Sequence, residues 1–348
     1  MRYIGSKTAS LSAIEQAVSR CQLSGLKHFC DPFAGICTVS QHFKRLGYRI
    51  TTGDILAQSL AFQVCTIASN QRPSFQKLLN RLKLTSQSRI PGHVKVLNYL
   101  NRLDGIEGYV SRHYSTLGNR RRKFFTCSNA QRIDAIRNKI AEWKKWNLIS
   151  VKEESYLLVS LLHSADKVAN TAGTYYAFLK RFNRKSRKDI YLTPVSISSN
   201  ALTMNQVFQS DARQLVKEIE PDILYLDPPY NDRDYGAYYH LTESLVLWNK
   251  KKPTGRSGIP KDRAPKSDFC KVSKAEESLA DLIRNARARI IMLHYAANGL
   301  VSHSRILKML TEKGPTTYRT WSIRRYQASA NAPKTCNNRL YVCKPRQR

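Results

Sequence analysis

The stretch Asp222-Ile-Leu-Tyr-Leu-Asp-Pro-Pro-Tyr230 decides the fold of this chain. Its apolar part, residues 223–226, has the length and composition of a buried strand. Two prolines follow Asp227, and proline cannot continue a central strand. Asp227 and Tyr230 are therefore expected where the chain leaves the carboxyl end of a strand, the edge at which open α/β sheets bind ligands. The alternative is an ordinary turn in which the prolines only end the strand.

Three further acids follow short strand-like runs, at Asp31, Asp54 and Asp211. Helical sequence separates the first two runs, so the order of strand, turn, helix and strand predicts the first half of a doubly wound α/β sheet. Four acids at strand ends favour one ligand cleft along a single sheet edge over four unrelated turns.

The kind of ligand is narrowed by one acid and by one missing motif. An acid after the second strand, here Asp54, suits the two hydroxyls of a ribose. The turn after the first strand contains Gly35, but it has neither the glycine triplet that cradles phosphates nor a P-loop lysine. A nucleoside without pyrophosphate is therefore expected, rather than NAD or ATP.

The alternation of strands and helices is interrupted in the middle of the chain. Residues 1–72 and 201–348 carry it and are predicted to form the α/β domain, whereas residues 73–200 are helical and basic and are predicted to be an insertion. Within the insertion, residues 153–169 are apolar on nearly all sides, which predicts a buried helix. Residues 250–274 hold nine basic residues, two acids and three prolines without apolar periodicity, which indicates a mobile basic loop.

Charge is the outlying property of the composition. Lysine and arginine number 58 against 25 acids, a formal net charge of +33. Such an excess predicts a polyanionic partner, because each cation placed on a phosphate releases counterions. A solvated basic surface without a partner is the alternative. The cations expected on phosphates are Arg120, Arg121, Arg122, Lys123, Lys180, Arg181, Arg184 and Lys185.

Cellular location and metal content are constrained by what the sequence lacks. No apolar run reaches the length of about eighteen residues that a membrane span requires. The eight cysteines contain no Cys-x-x-Cys pair. A cytoplasmic protein with reduced thiols is expected, without a membrane segment or a metal site.

Taken in order, the motifs resemble those of the D12 class of adenine-N6 DNA methyltransferases. The resemblance is carried by Tyr3-Ile-Gly-Ser-Lys7, Asp31-Pro-Phe-Ala-Gly35, Asp54, Asp211 and Asp227-Pro-Pro-Tyr230. It continues through Phe124-Phe-Thr126, Asn129, residues 133–137, residues 168–175, Tyr235, Tyr238-Tyr-His-Leu241 and Glu243. This order is similar to that of the single-chain methyltransferases that accompany type II restriction enzymes.

The resemblance implies a Rossmann-like, S-adenosylmethionine-dependent domain whose insertion recognises DNA. The residues implied around the cofactor are Tyr3, Gly5, Lys7, Asp31, Phe33, Gly35, Asp54 and Asp211. Asp54 would take the ribose hydroxyls of the cofactor and Asp211 its adenine amine. Catalysis would rest on Asp227, Pro228, Pro229 and Tyr230, which would hold a flipped adenine. The family usually has a second glycine two places after Gly35, where this chain has Cys37.

The expected function is therefore site-specific methylation of adenine N6 in double-stranded DNA, in the cytoplasm at the nucleoid, with a cognate restriction endonuclease as the functional partner. Methylation of an RNA base is an alternative, because Pro-Pro-aromatic motifs occur in such enzymes as well. A second alternative is a DNA-binding specificity subunit without catalysis, against which the intact Asp227 and Tyr230 argue.

Overall fold

A computed structural model describes residues 5, 7–85, 89–199, 204–324 and 335–346. The chain divides into two compact units. We call residues 5–63, 198–235 and 265–348 the sheet unit, and residues 64–197 and 236–264 the helical unit. The helical unit thus takes in residues 236–264, which the sequence analysis assigned to the α/β domain. No helix of the described residues is long and apolar enough to cross a membrane.

The sheet unit is built on seven strands among the described residues. They are β1 (His28–Asp31), β2 (Arg49–Asp54), β3 (Gln206–Gln209), β4 (Ile223–Leu226), β5 (Ile290–Ala296), β6 (Thr316–Arg324) and β7 (Thr335–Cys343). Their order is β3-β2-β1-β4-β5-β7-β6. The neighbours among β1 to β5 are parallel, whereas β7 runs antiparallel to both β5 and β6. The prediction of an α/β fold with a doubly wound, Rossmann-like sheet is confirmed.

Helices surround the sheet and form most of the helical unit. In chain order they are α1 (Leu11–Ser19), α2 (Thr38–Arg45), α3 (Ala57–Thr66), α4 (Gln76–Arg81), α5 (Gly92–Asn101), α6 (Tyr109–Tyr114), α7 (Cys127–Lys145), α8 (Val151–Val168), α9 (Ala212–Glu218), α10 (Tyr235–Tyr238), α11 (His240–Leu247), α12 (Ala275–Asn285) and α13 (His303–Lys313).

The strand order reverses at β1, which lies between β2 and β4. Cys30 of β1 is opposite Thr51 of β2 on one side and opposite Leu224 of β4 on the other. Since the strands are parallel, their carboxyl ends share one edge of the sheet, and the reversal leaves a crevice there. Asp31 and Asp227, which end β1 and follow β4, flank this crevice.

Apolar side chains cover both faces of the sheet. On one face, the buried core joins strand residues such as Leu224 and Leu293 to Val216 of α9, Leu279 of α12 and Leu310 of α13. A second set of contacts joins β1 to α2: the ring of Phe29 stacks on Phe43, with 4.0 Å between ring centroids. This packing fixes the directions in which the strand ends point.

In the helical unit, α8 corresponds to the segment that was predicted to be a buried helix. Most of its residues are buried, on nearly all sides of the helix. It begins with a capping box, in which Ser150 and Glu153 each accept a hydrogen bond from the other's backbone N–H. The neighbouring helix α7 positions two others through polar side chains. Asp134 accepts the N–H groups of Val110 and Ser111 at the start of α6, both at 2.8 Å. Arg137 donates to the carbonyls of Leu245 and Val246 at the end of α11, at 2.6 and 3.0 Å.

The segment predicted to be a mobile basic loop, residues 250–274, is anchored by hydrogen bonds and divided between the two units. In the helical unit, the hydroxyl of Tyr109 donates to the Lys251 carbonyl at 2.7 Å, and the hydroxyl of Tyr114 donates to the Gly258 carbonyl at 2.8 Å. In the sheet unit, Phe269 is buried in the core. The sequence could not show this anchoring, because the anchors are tyrosines more than 140 residues away.

Gly53 of β2 permits the close approach of α9 to the sheet. A Cβ at this position would lie 2.5 Å from Leu215 Cδ2, inside van der Waals contact. We expect Gly53→Ala to lower the free energy of unfolding by about 1–3 kcal/mol, as overpacking does in other cores. Urea denaturation of the single variants and of Gly53→Ala/Leu215→Ala tests this. The double variant should lose less stability than the sum of the two single losses, and simple additivity would contradict the proposed clash.

Candidate active site

The carboxylate of Asp227 forms a buried ion pair at the carboxyl end of β4. Lys7 Nζ lies 2.5 Å from Asp227 Oδ2, and the two side chains are 6% and 15% exposed. The same Lys7 Nζ donates to the Gly5 carbonyl at 2.9 Å. Lys7, which the resemblance implies at the cofactor, thus forms an ion pair with the acid of the Asp-Pro-Pro-Tyr motif.

The second oxygen of Asp227 is buried and accepts no hydrogen bond from any described residue. Burial raises the pKa of Asp227, and the Lys7 ammonium opposes that rise. A buried acceptor without a donor costs roughly 1–3 kcal/mol. A ligand whose N–H donates a hydrogen bond to Asp227 Oδ1 would remove this cost.

Asp31 is the second buried acid of the crevice. Its Oδ2 accepts from Ser40 Oγ at 2.8 Å, and its Oδ1 accepts from the Phe33 N–H at 3.2 Å. Burial raises the pKa of Asp31 to about 7, with a smaller contribution from the negative charge of Asp227, although the two hydrogen bonds lower it. The crevice therefore holds an acid whose ionisation falls near neutral pH.

Asp54 is fixed by the turn that follows β1. Asp54 Oδ2 accepts from the Gly35 N–H at 2.9 Å and Asp54 Oδ1 from the Leu56 N–H at 3.0 Å. Burial raises the pKa of Asp54, against these backbone hydrogen bonds. Each carboxylate oxygen retains acceptor capacity beyond one amide, since an ionised carboxylate offers about four acceptor positions. The arrangement fits the binding of vicinal hydroxyls.

The turn carrying Gly35 needs left-handed backbone at two positions. Gly35 has φ +52°, which glycine adopts readily. Cys37 has φ +61° and ψ +30° and is fully buried. The left-handed conformation costs a residue with a Cβ roughly 1–2 kcal/mol of free energy. The structure thus shows why a glycine is usual at the position of Cys37: the turn keeps the glycine conformation although the residue has changed.

Two aromatic residues of the motifs, Phe33 and Tyr230, are held by edge-on ring contacts. Phe33 packs edge-on against Phe269, with 5.3 Å between ring centroids. Tyr230 packs edge-on against Tyr295 at 5.9 Å, and its carbonyl accepts from the Leu300 N–H at 2.9 Å. Both Phe33 and Tyr230 are partly buried against the core of the sheet unit, so their rings are held in place by packing.

Asp211 has a local role in the structure. Its Oδ1 caps α9 by accepting from the Arg213 N–H at 2.8 Å, and its Oδ2 lies 3.1 Å from Arg213 Nη2. The Arg213 guanidinium also reaches Asp268 at 3.5 Å. The side chain predicted to meet the cofactor adenine is therefore already engaged by a neighbouring arginine. Tyr3, the remaining predicted cofactor residue, lies outside the described residues.

Two buried polar residues beneath the crevice were missed by the sequence analysis. The hydroxyl of Tyr225 in β4 lies 3.0 Å from His294 Nδ1 in β5. Burial lowers the pKa of His294 well below its ordinary value, and the charge of Lys7 lowers it further. The only available signal was a polar residue inside each apolar strand run, which is common in cores and does not identify a partner.

The eight predicted phosphate-binding cations lie in the helical unit, but they are not equivalent. Six are exposed: Arg120, Arg121, Lys180, Arg181, Arg184 and Lys185. Lys123 is partly buried, and its Nζ donates to the Lys180 carbonyl at 3.1 Å. Arg122 is 3% exposed, and its guanidinium donates hydrogen bonds to three backbone carbonyls. The structure therefore separates Arg122 from the cations that face solvent.

Comparison with known proteins agrees with the motifs. The family model of D12 class N6 adenine-specific DNA methyltransferases matches residues 3–297. The chain is 34% identical to the type II methyltransferase M.NlaIII of Neisseria lactamica over 332 residues, which cover 94% of this chain and 93% of that protein. It is also 34% identical to the modification methylase StsI of Streptococcus sanguinis over 344 residues, and 30% identical to the type II methyltransferase M.FokI of Planomicrobium okeanokoites over 334 residues. The chain spans about half the length of these last two proteins.

The raised pKa of Asp31 predicts how stability depends on pH. The folded state keeps Asp31 protonated up to about pH 7, whereas the unfolded chain releases the proton near pH 4. This contribution to stability is fully present below about pH 4 and is lost as pH rises through about 7. Relative to Asp31→Asn, which cannot ionise, the parent should therefore lose stability between pH 5 and 7, by at most about 1.4 kcal/mol per pH unit.

Urea unfolding of both proteins at pH 5, 6, 7 and 8 measures this difference. Asp232→Asn, which removes an exposed acid of the same unit, is the matched control and should run parallel to the parent. Parallel curves for Asp31→Asn as well would remove Asp31 as the source of the pH dependence.

Proposed function

The chain belongs to the D12 class N6 adenine-specific DNA methyltransferase family, and we propose that it transfers a methyl group from S-adenosylmethionine to N6 of an adenine flipped out of duplex DNA. The unused, buried Oδ1 of Asp227 carries this proposal. It is an acceptor at the carboxyl edge of the sheet, beside the point where the strand order reverses, and the N6 amine of adenine is a donor of the matching kind.

Asp227 and Pro228 would orient the amine. The lone pair of an exocyclic adenine nitrogen is conjugated with the ring, so the amine is a poor nucleophile. Asp227 Oδ1 would accept one N6 hydrogen and the Pro228 carbonyl the other, which turns the lone pair out of conjugation. The same acceptors stabilise the positive charge that develops on nitrogen in the transition state. The rings of Pro228 and Pro229 restrict the backbone that aims this carbonyl.

Lys7 would keep Asp227 in the form that this chemistry needs. An ammonium 2.5 Å from Oδ2 favours the ionised carboxylate and holds one of its oxygens, which leaves Oδ1 for the substrate. Tyr230 would stack on the flipped base, since a paired and stacked amine is out of reach. Its ring is held by Tyr295 and the surrounding core, so the stacking surface is formed in advance.

The methyl donor supplies an electrophilic methyl group on a sulfonium when bound. The residues around the crevice fit such a molecule: Asp54 has the acceptors for ribose hydroxyls, and the buried Asp31 suits an ammonium group. Phe33, Gly5 and Gly35 would complete the binding surface, with Tyr3 as implied by the resemblance. We retain Asp211 as a cofactor residue in this proposal, although Arg213 engages its carboxylate, because an oxygen of a paired carboxylate can still accept an amine.

The relatives are named modification methylases and type II methyltransferases. We infer the same kind of role here, in the cytoplasm, with a cognate restriction endonuclease as the functional counterpart. The catalytic residues also bear on the alternatives. A specificity subunit without catalysis would have no use for a desolvated, unsatisfied carboxylate oxygen, and no observation favours RNA over DNA. Methylation of matched DNA and RNA duplexes, followed by identification of the methylated base, tests the proposal.

Removal of the catalytic acceptor should separate chemistry from binding. We expect Asp227→Ala to lower the rate of methyl transfer by about 10²–10³, the usual loss when one preorganised transition-state contact is removed. DNA affinity should change little, because this carboxylate faces the base and not the phosphates. Single-turnover transfer and DNA titration measure the two quantities, with Asp232→Ala as the control for a lost exposed acid. A rate within tenfold of the parent would take Asp227 out of the mechanism.

Removal of the ribose acceptor should act on the cofactor alone. We expect Asp54→Ala to weaken S-adenosylmethionine binding by roughly 1–3 kcal/mol, since two hydroxyls lose their acceptor. Asp211→Ala should weaken it less, because its carboxylate is shared with Arg213. Isothermal titration calorimetry of the three proteins gives the affinities. Equal affinity in the parent and in Asp54→Ala would show that the cofactor lies elsewhere.

A further inference from the structure

The buried guanidinium of Arg122 ties together parts of the helical unit that are far apart in sequence. Arg122 Nε donates to the Arg256 carbonyl at 3.1 Å, Nη1 to the His113 carbonyl at 3.0 Å and Nη2 to the Gly255 carbonyl at 3.0 Å. Gly258 permits the close approach of the guanidinium, because a Cβ at this position would lie 3.0 Å from Arg122 Nε. Its φ is +72°, which favours glycine. The guanidinium thus acts as a clamp on backbone.

The clamped segment, residues 251–261, is held through its backbone at further points. The hydroxyls of Tyr109 and Tyr114 donate to the carbonyls of Lys251 and Gly258. Within the segment, Thr254 Oγ1 donates to the Ile259 carbonyl at 2.6 Å. These bonds are made to backbone carbonyl oxygens. Lys251 Nζ pairs with Asp262 Oδ2 at 3.2 Å, and the other cationic side chains of the segment take no part in these bonds. Lys252, Arg256 and Lys261 are exposed.

The residue after the clamp joins a second basic segment to the same turn. Lys123 Nζ donates to the Lys180 carbonyl at 3.1 Å, and Asn170 Nδ2 donates to the carbonyls of both Lys123 and Leu179, at 2.9 and 3.0 Å. Two successive residues, Arg122 and Lys123, therefore attach residues 251–261 and residues 179–188 to one turn. Three basic stretches that are separate in sequence are thus joined by hydrogen bonds within the helical unit.

The electrostatics of this arrangement call for an anion from outside. Burial lowers the pKa of Arg122, and the charge of Arg120 lowers it further. Among the described residues, the hydrogen-bond acceptors of its guanidinium are backbone carbonyls, and Lys252, Arg256 and Lys261 of the segment that it holds are exposed. Exposed like charges on one rigid surface repel each other, and a polyanion that releases counterions on binding offsets that repulsion.

We propose that residues 251–261 are a preformed DNA-backbone contact of the helical unit, with Arg256 on a phosphate, and that Arg122 is a positioning residue for this segment and not itself a phosphate ligand. The inference rests on the proposed action on duplex DNA and adds a contact element to it. An arginine is required at the clamp because its planar fork presents several donors at once, whereas the lysine ammonium is a single point charge.

Arg256→Ala provides the first test, since the side chain is exposed and its guanidinium makes no hydrogen bond or ion pair with a described residue. Equilibrium binding to duplex DNA is measured at several salt concentrations. The slope of log K against log salt should become shallower by about 1, as expected for one lost phosphate contact. Arg284→Ala is the matched control: it removes an arginine that is 72% exposed in the sheet unit and should leave the slope unchanged.

A double-mutant cycle tests the positioning role. Arg122→Gln should weaken binding and flatten the slope in the parent but add little in the Arg256→Ala background, because the contact that it positions is already gone. Arg122→Lys should fail to restore binding. If Arg122 touched phosphate directly, its effect would add to that of Arg256→Ala and lysine would largely replace it, and either result overturns the proposed role.

Stability and the underlying function are checked separately. Thermal unfolding shows whether Arg122→Gln folds, and Tyr114→Phe, which removes only the hydroxyl bond to Gly258, should flatten the slope in the same direction but less. Should Arg122→Gln not fold, Arg256→Ala and Tyr114→Phe still decide the matter. An unchanged slope in Arg256→Ala overturns this inference alone if the parent binds duplex DNA with a steep salt dependence. Absence of salt-dependent DNA binding by the parent would overturn the proposed DNA substrate.

Discussion

The ion pair between Lys7 and Asp227 is the interaction on which the rest of the site depends. It joins residues 220 apart in sequence and is almost fully buried. Two charges removed from water are costly unless they meet in good geometry, and removal of one partner leaves the other uncompensated. The pair therefore does two things at once. It holds the segment before α1 against the end of β4. It also opposes the rise in the pKa of Asp227 that burial causes.

The sheet makes this placement possible. Parallel strands bring their carboxyl ends to one edge, and the reversal at β1 leaves β1 and β4 as neighbours whose chains continue in different directions. Asp31 and Asp227 are thus brought together by topology, close enough for the charge of Asp227 to raise the pKa of Asp31. Asp54 is added through a local contact, the Gly35 N–H, because the turn after β1 reaches across to the end of β2.

The strand-end positions of the acids could be predicted from the sequence, whereas the side chains that contact them could not. A carboxylate after an apolar run and before two prolines can only lie at a strand end, so Asp227 was predictable from local chemistry. The roles of Lys7 and Arg122 were not, because a cation is classed as buried or exposed only by its tertiary neighbours. Arg120 and Arg122 are equivalent in sequence, yet one faces solvent and the other is enclosed by carbonyls. The same reason explains why the anchoring of residues 251–261 was not predicted, since distant tyrosines hold this segment.

The proposed action on DNA through carboxylates raises an electrostatic difficulty, which the distribution of charge in this chain meets. A site that must admit a nucleotide and its phosphates cannot present several uncompensated negative charges, since like charges across an interface are costly. The sheet unit meets this condition in two ways: Lys7 neutralises Asp227, and burial makes Asp31 hold its proton up to about pH 7. In the helical unit, exposed cations lie on a segment whose backbone carbonyls accept hydrogen bonds from Tyr114 and Arg122. In the proposed function, acceptor chemistry therefore belongs to the sheet unit and polyanion binding to the helical unit.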